Sequence, residues 1–156
     1  MSVAFLAFGI VGGSFVPRLP ALRDHLHLTD AQVGYALLVF AVGAVAGAMA
    51  ARFVLARGAR SFVRAGTPAL CVVLVTPGLA GNLAELMGGF LLIGLCSGFL
   101  DVLENAQGAE LERLAARPLI NGFHAFWSLG AIIGSVAAGL AAYFGIAPWR
   151  SSPPSR

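Results

Sequence analysis

The chain contains apolar runs that are too long for a small soluble domain. A helix needs about 20 mainly apolar residues to cross a bilayer. Four stretches approach or exceed that length, namely residues 33–51, 65–84, 86–109 and 118–149. Only 11% of the 156 residues are charged, and the mean hydropathy is +0.86. A soluble globule of this size could not cover so much apolar surface, which excludes a water-soluble enzyme and a nucleic-acid-binding domain.

The N-terminal apolar stretch is shorter and ends at Pro17 and Arg18. It lacks the basic start and the Ala-x-Ala cleavage site of a signal peptide, so we interpret it as a first transmembrane helix. The sequence therefore predicts an all-α membrane protein, a helical bundle over residues 1–146. Its five predicted spans cover about residues 2–17, 32–51, 65–84, 86–108 and 119–144. Residues 147–156 are polar and rich in Pro and Ser, which predicts a disordered tail.

One helix start has a local signal. Thr29 and Gln32 have the spacing of a capping box, in which each side chain bonds the backbone N–H of the other residue. We therefore expect the second span to begin next to Thr29.

The Arg residues between the predicted spans indicate how the chain crosses the membrane. The connections after the second and fourth spans contain six Arg, and the remaining parts outside the spans contain four. Because positive loops stay in the cytoplasm, we predict a multi-pass protein of the cell (inner) membrane with a cytoplasmic N-terminus. The six are Arg52, Arg57, Arg60, Arg64, Arg113 and Arg117; the four are Arg18, Arg23, Arg150 and Arg156.

Pairs of glycines four residues apart occur in four of the five predicted spans. Such pairs let the backbones of neighbouring helices approach closely. Glycine is also common in membrane helices, so a single pair is weak evidence. Their recurrence predicts a tightly packed bundle. The pairs are Gly9 with Gly13, Gly43 with Gly47, Gly94 with Gly98, and Gly130 with Gly134.

Three polar residues lie inside the fourth predicted span. Asp101, Glu104 and Asn105 have the spacing that places side chains on one helix face. A charge at the bilayer centre costs about 2.5–3.5 kcal/mol on insertion scales, so this face should meet a protein interior or a water-filled cavity. It predicts ligand binding or proton transfer. The alternative, stronger for Glu104 than for the deeper Asp101, is a side chain solvated near the cytoplasmic end.

His124 lies about one and a half turns into the fifth predicted span. An imidazole there can relay protons or contact a ligand. The alternative is a histidine hydrogen-bonded to Asn121 or Asn105 of a neighbouring helix. No group of His and Cys has the spacing of a metal site, so we predict no metal and no cofactor.

An intramembrane hydrolase is a weaker interpretation of the same residues. It would use Ser97 with His124, or Asp101. The residues around Ser97 lack the spacing of a serine-hydrolase motif, and no second intramembrane Asp could complete a catalytic pair. The sequence therefore favours a protein that is not an enzyme.

Several motifs resemble the first half of a major facilitator superfamily transporter. Residues 98–108 read Gly-Phe-Leu-Asp-Val-Leu-Glu-Asn-Ala-Gln-Gly, and residues 122–130 read Gly-Phe-His-Ala-Phe-Trp-Ser-Leu-Gly. They are similar to a signature of helices four and five in a bacterial inner-membrane branch near the fucose permease-like members. Residues 18–24 and 28–34 resemble the connection between helices one and two of that branch. The resemblance covers nearly all of residues 3–145.

The resemblance implies an N-terminal fragment of a secondary active, proton-coupled or facilitative, small-molecule transporter. Such transporters have twelve helices in two halves with substrate bound between them, so five helices would need a C-terminal half to transport. Asp101, Glu104, Asn105 and His124 are the candidates for a central cavity, and Arg18 for its outer mouth. The polar tail cannot form a sixth span, which indicates a truncated reading frame. The alternative is a membrane scaffold or homo-oligomer that packs through its glycines.

The loop between the second and third spans differs from the usual motif of the superfamily, Gly-x-x-x-Asp-Arg-x-Gly-Arg-Arg. The basic and glycine positions of this motif are occupied here by Arg57, Gly58 and Arg60. An apolar residue occupies the position of the motif's Asp. Glu104 also stands where this branch usually has an apolar residue. The resemblance therefore implies no role for Glu104.

Overall fold

A computed structural model describes residues 1–55 and 58–144, and within these ranges the protein is helical without any strand. The α-helices are α1 (Ser2–Phe15), α2 (Leu19–His25), α3 (Asp30–Leu55), α4 (Ala59–Val73), α5 (Leu83–Ala115) and α6 (Ile120–Tyr143). Short 3-10 helices cover Val16–Arg18 and Thr76–Leu79. Arg57 and the tail, residues 147–156, lie outside the described residues.

Five helical segments of the described chain are long and apolar enough to cross a membrane, which confirms the predicted all-α class and number of spans. They are Ser2–His25, Asp30–Leu55, Ala59–Leu79, Leu83–Ala115 and Ile120–Tyr143. The second and fifth lie close to their predicted ranges. The first, third and fourth differ from the prediction, each for a local reason.

The first span does not end at Pro17. A 3-10 helix and α2 continue the helical path from α1 to His25. Pro17 and Pro20 each stand at the first or second position of the element that follows. A proline is tolerated there because the missing N–H would have no partner within the helix.

The third helical segment differs at both ends from the range predicted for the third span, 65–84. It begins at Ala59, directly after Gly58, and it ends at Leu79. Residues 83–84 belong to α5, because the Asn82 side chain accepts a hydrogen bond from the N–H of Glu85 at 3.0 Å and so caps that helix. The fourth span consequently starts before residue 86, and it continues past residue 108 to Ala115.

Two other helix starts are fixed by side chains. The N–H of Thr29 donates to Oε1 of Gln32 at 2.8 Å and the N–H of Gln32 to Oγ1 of Thr29 at 3.3 Å, so the capping box at α3 is confirmed. At α6, Oε2 of Glu112 accepts from the N–H groups of Leu119 at 2.7 Å and Ile120 at 2.9 Å. A carboxylate from α5 thus holds the positive end of α6, which the sequence did not predict.

The helices pack as two close pairs, α1 with α6 and α3 with α5, and α4 packs on α5. We call the line of contact between the two helices of a close pair its seam. Glycines on both helices form each seam. A Cβ atom added at Gly13 would overlap the Ala131 carbonyl, and one added at Gly98 would overlap the Ala44 carbonyl. Across lipid-immersed seams of this kind, close backbone packing replaces the hydrophobic driving force.

The contacts at the two seams are reciprocal and have the same register. Gly130 and Gly134 face the carbonyls of Leu6 and Ile10, and these carbonyls belong to residues three positions before Gly9 and Gly13 on the partner helix. The same relation holds in the other seam. Gly43 faces Leu91, Gly47 faces Leu95, Gly94 faces Phe40 and Gly98 faces Ala44. Residue numbers rise together along both partners, so each pair is parallel.

Candidate central cavity

A cavity of about 390 Å³ lies where the two helix pairs face each other. Both pairs contribute to its wall, so its shape depends on their relative position. The residues that line it are Phe5 and Phe8 of α1, Ala44 of α3, Ser97, Gly98 and Asp101 of α5, and His124 and Trp127 of α6.

Asp101 brings a carboxylate to this cavity and is exposed there. The side-chain amide of Asn105 donates to the Asp101 carbonyl at 2.8 Å and to Oδ1 of its carboxylate at 3.2 Å. No Arg within the described ranges forms an ion pair with Asp101. The carboxylate is therefore oriented by its own helix and free to meet a ligand.

His124 faces Asp101's cavity from the other helix pair. Its ring meets the Phe5 ring edge-on with centroids 5.5 Å apart, and Phe5 also stacks on Phe123 at 5.5 Å. Among the described residues no hydrogen bond joins the imidazole to Asn105 or Asn121, and the Asn105 amide instead donates to Asp101. A neutral imidazole has one donor and one acceptor nitrogen, and the role of His124 stays a prediction.

Glu104 does not line the cavity. Its side chain is 1% exposed, and neither carboxylate oxygen has a hydrogen-bond partner among the described residues. The nearby Thr67 hydroxyl donates to the Val63 carbonyl at 3.0 Å and has no second proton for Glu104. Because α5 continues to Ala115, roughly 16 Å beyond Glu104, the alternative of a solvated helix end is wrong.

Helix geometry explains why the three polar residues of α5 separate. At about 100° per residue, Glu104 lies roughly 60° to one side of Asp101 and Asn105 roughly 40° to the other. Asp101 faces the gap between the helix pairs, and Glu104 faces α4. The spacing correctly groups them on one half of the helix, but the position of α4 decides which of them is buried.

Arg18 lies in a different pocket. This pocket has about 200 Å³ and is formed where α1 turns into α2, next to the end of α4 and the 3-10 helix that follows it. Its wall is mainly apolar, with Ser14 as the other polar side chain. Arg18 is half-buried and lines no wall of the Asp101 cavity. The structure therefore does not bring Arg18 together with Asp101 and His124.

The described part of the loop motif is a turn with basic flanks. Gly58 has φ +93°, a conformation that glycine adopts without strain. Arg60 and Arg64 line a cavity of about 760 Å³ between α1, α4 and α5, which also contains Gln107. Arg57 lies outside the described residues. The loop and the Asp101 cavity are formed by different residues.

The aromatic wall was not predicted as a whole. Trp127 was visible as an aromatic near the end of a span, but Phe5 and Phe8 carry no motif. Phe5 precedes Gly9 by four residues and therefore lies beside the seam between α1 and α6. This spacing alone does not indicate a cavity residue, because Phe90 and Phe126 also stand four residues before a glycine of the paired motifs and neither lines the cavity.

Comparison with known proteins is consistent with these features. Residues 1–152 match the Major Facilitator Superfamily. The chain belongs to this family. An uncharacterized transporter of Sinorhizobium fredii is 32% identical over 145 residues, and an uncharacterized MFS-type transporter of Yersinia pestis is 26% identical over 151 residues. The multidrug resistance protein 2 of Bacillus subtilis is 27% identical over 146 residues.

These matches cover 92%, 94% and 92% of this chain but only 38%, 38% and 36% of the three relatives. The chain thus spans less than two-fifths of their length. No solved structure gives a significant match. Membership of the superfamily indicates a membrane transporter rather than an enzyme. Ser97 and His124 do share the cavity wall, but no hydrogen bond joins them in the structure.

Proposed function

We propose that this chain is the N-terminal part of a secondary active, proton-coupled or facilitative, small-molecule transporter. In this proposal the cavity of Asp101 and His124 is one wall of the substrate site. The observation that carries it is an exposed carboxylate inside a span, opposite an imidazole across the cavity. Within residues 1–55 and 58–144, this carboxylate has no ion-pair partner and the imidazole makes no hydrogen bond. Ionisable side chains inside a membrane span are costly, and they typically mark the path of a substrate or an ion.

Both helix pairs belong to the same N-terminal part of the proposed transporter. Asp101 belongs to the α3–α5 pair and His124 to the α1–α6 pair, so both pairs contribute to this wall of the substrate site. Transporters of this type bind substrate between two halves and rock one against the other. We propose that transport requires a C-terminal half, and that five helices alone bind substrate without moving it.

We also propose that the protein lies in the cell (inner) membrane with its N-terminus in the cytoplasm. The Arg content of the connections supports this orientation. Alkaline phosphatase, which is active only outside the cytoplasm, should be active when fused after Leu28 and inactive when fused after Arg117. The reverse pattern would contradict the orientation.

A ligand screen tests the proposed site. The full chain in lipid nanodiscs is screened by thermal shift against sugars, amines, carboxylates and nucleosides. We expect at least one ligand whose stabilising shift is lost in Asp101→Asn and in His124→Ala, because both residues face the cavity. Asp24→Asn and His27→Ala, outside the cavity, are the matched controls. Ligand shifts that are unchanged in both cavity variants would contradict the site.

A membrane scaffold that packs through its glycine faces is the weaker function. All eight glycines of the paired motifs contact another helix of the same chain. A partner chain could use these faces only after the seams had opened. Native mass spectrometry in detergent decides this point, since a defined homodimer without ligand binding would favour the scaffold.

A further inference from the structure

The charge of the Asp101 cavity is unbalanced. Among the described residues that line it, Asp101 is the only acidic or basic side chain apart from the titratable His124. Arg18 lies in a separate pocket, and Arg60 and Arg64 line a third one. A negative charge in a low-dielectric wall attracts a cation and repels a carboxylate or phosphate.

The rest of the wall is aromatic. Phe5, Phe8 and Trp127 line the cavity together with the His124 ring, and Trp127 is 40% exposed. Aromatic faces attract cations through their quadrupole, most strongly in the case of Trp. A carboxylate combined with several aromatic rings is the combination that recognises ammonium groups with apolar substituents.

The same wall is poor in groups that recognise a sugar. Hydrogen-bonding side chains are limited to Ser97, Asp101, His124 and the indole N–H of Trp127. A sugar, in contrast, presents a hydroxyl on almost every carbon. Hydroxyl groups buried without partners are costly. The volume of about 390 Å³ lies within the usual range of small-molecule pockets, about 300–1,000 Å³.

We propose that the Asp101 cavity binds organic cations, specifically ammonium compounds with aromatic or aliphatic substituents. This inference rests on the proposed function and names its substrate class. Asp101 provides the counter-ion, held in place by the amide of Asn105, and Trp127 with Phe8 contacts the apolar substituents. Phe5 is 3% exposed and supports the His124 ring from behind.

The test uses a permanent cation, which cannot donate a hydrogen bond and therefore isolates the charge. Labelled benzyltrimethylammonium is equilibrated with the full chain in nanodiscs of zwitterionic lipid, and bound ligand is measured by equilibrium dialysis. Choline should displace it at least tenfold more effectively than dimethylbutanol, the neutral analogue with carbon in place of nitrogen. Asp101→Asn should weaken binding of the probe at least tenfold, and Trp127→Leu several-fold. Asp24→Asn should leave it unchanged.

Three outcomes would overturn the inference. These are no binding of the probe, equal displacement by dimethylbutanol, or unchanged binding in Asp101→Asn. Folding of each variant is checked by circular dichroism and gel filtration, and Trp127→Phe should retain most of the affinity because it keeps a ring.

A neutral ligand that requires Asp101 and His124 would exclude the cation class and leave the proposed function standing. A screen without any such ligand would contradict the proposed function itself.

Discussion

The two helix pairs have the same seam but different surroundings. In both pairs, two glycines on each helix face carbonyls three residues before the glycines of the partner. The α3–α5 pair also carries α4, and it buries Glu104 on that side. The α1–α6 pair instead has a hydrogen bond across its seam, from the Ser135 hydroxyl to the Gly13 carbonyl at 2.9 Å.

The two pairs are held together by the same glycine contacts, but they contribute different side chains to the cavity. Backbone atoms and glycines form the contact within each pair. Side chains at neighbouring positions are therefore available to line the cavity. One pair supplies the carboxylate of Asp101, and the other supplies His124 and most of the aromatic wall. The cavity therefore depends on both pairs, since neither of them alone supplies the carboxylate and the aromatic rings.

The largest expected effect comes from filling a seam. Gly98→Ala and Gly134→Ala each place a methyl group on a backbone carbonyl that cannot yield without moving a helix. We expect each to lower the free energy of unfolding by about 1–3 kcal/mol. Gly98→Ala should have the larger effect, because displacement of α5 also disturbs α4. The measurement is unfolding by SDS in mixed micelles, followed by circular dichroism.

Gly139→Ala is the matched control for the seam variants. This glycine lies in α6 with no atom near an added Cβ. Because Ala has the higher helix propensity, Gly139→Ala should cause no loss and can raise the free energy of unfolding by up to about 1 kcal/mol. Equal losses in Gly98→Ala and Gly134→Ala would show that α4 adds nothing to the α3–α5 pair. Losses no larger than that of Gly139→Ala would contradict the close seams.

An intermediate effect is expected at Glu104, the buried carboxylate on the α4 side of α5. Glu104→Gln keeps the shape and removes the possibility of an unpaired buried charge. We expect a gain in the free energy of unfolding of about 1 kcal/mol at neutral pH, because the amide carries no charge but still leaves polar atoms without a partner. The same SDS titration measures it, with Asp101→Asn as the exposed control that should change little. A loss of stability in Glu104→Gln would show that the carboxylate has a partner.

The sequence was sufficient for the number and class of the spans, because each apolar run is long enough to identify by itself. The Thr29 capping box was likewise predictable from residues three apart. Helix ends are less predictable, because a proline such as Pro17 is tolerated at the start of a new helical element and does not have to end the helical path. Asn82 caps α5, so residues 83–84 belong to α5 although they continue the apolar run before it.

The candidate site shows a sharper limit. Intramembrane polarity predicts Asp101, Glu104, Asn105 and His124 alike, and the resemblance adds Arg18; the cavity is lined by Asp101 and His124 but not by Glu104 or Arg18. Those two are separated from the cavity by the placement of α4 and by the turn between α1 and α2. Such tertiary placements have no signal in residue spacing. Helical periodicity predicts on which half of a helix a polar side chain lies. Whether that half faces a cavity depends on the neighbouring helices.

The smallest expected effect concerns the hydrogen bond that distinguishes the α1–α6 seam. Ser135→Ala removes the bond to the Gly13 carbonyl and leaves the glycine contacts intact. Bonds between membrane helices contribute about 0.6 kcal/mol on average, so the loss in SDS titration should be near that value. Ser128→Ala is a control on the same helix, since no hydrogen bond from Ser128 crosses the seam in the structure. A loss from Ser135→Ala as large as that from Gly134→Ala would mean that the hydrogen bond, rather than the backbone contact, holds α1 to α6. The two pairs would then differ in mechanism as well as in surroundings.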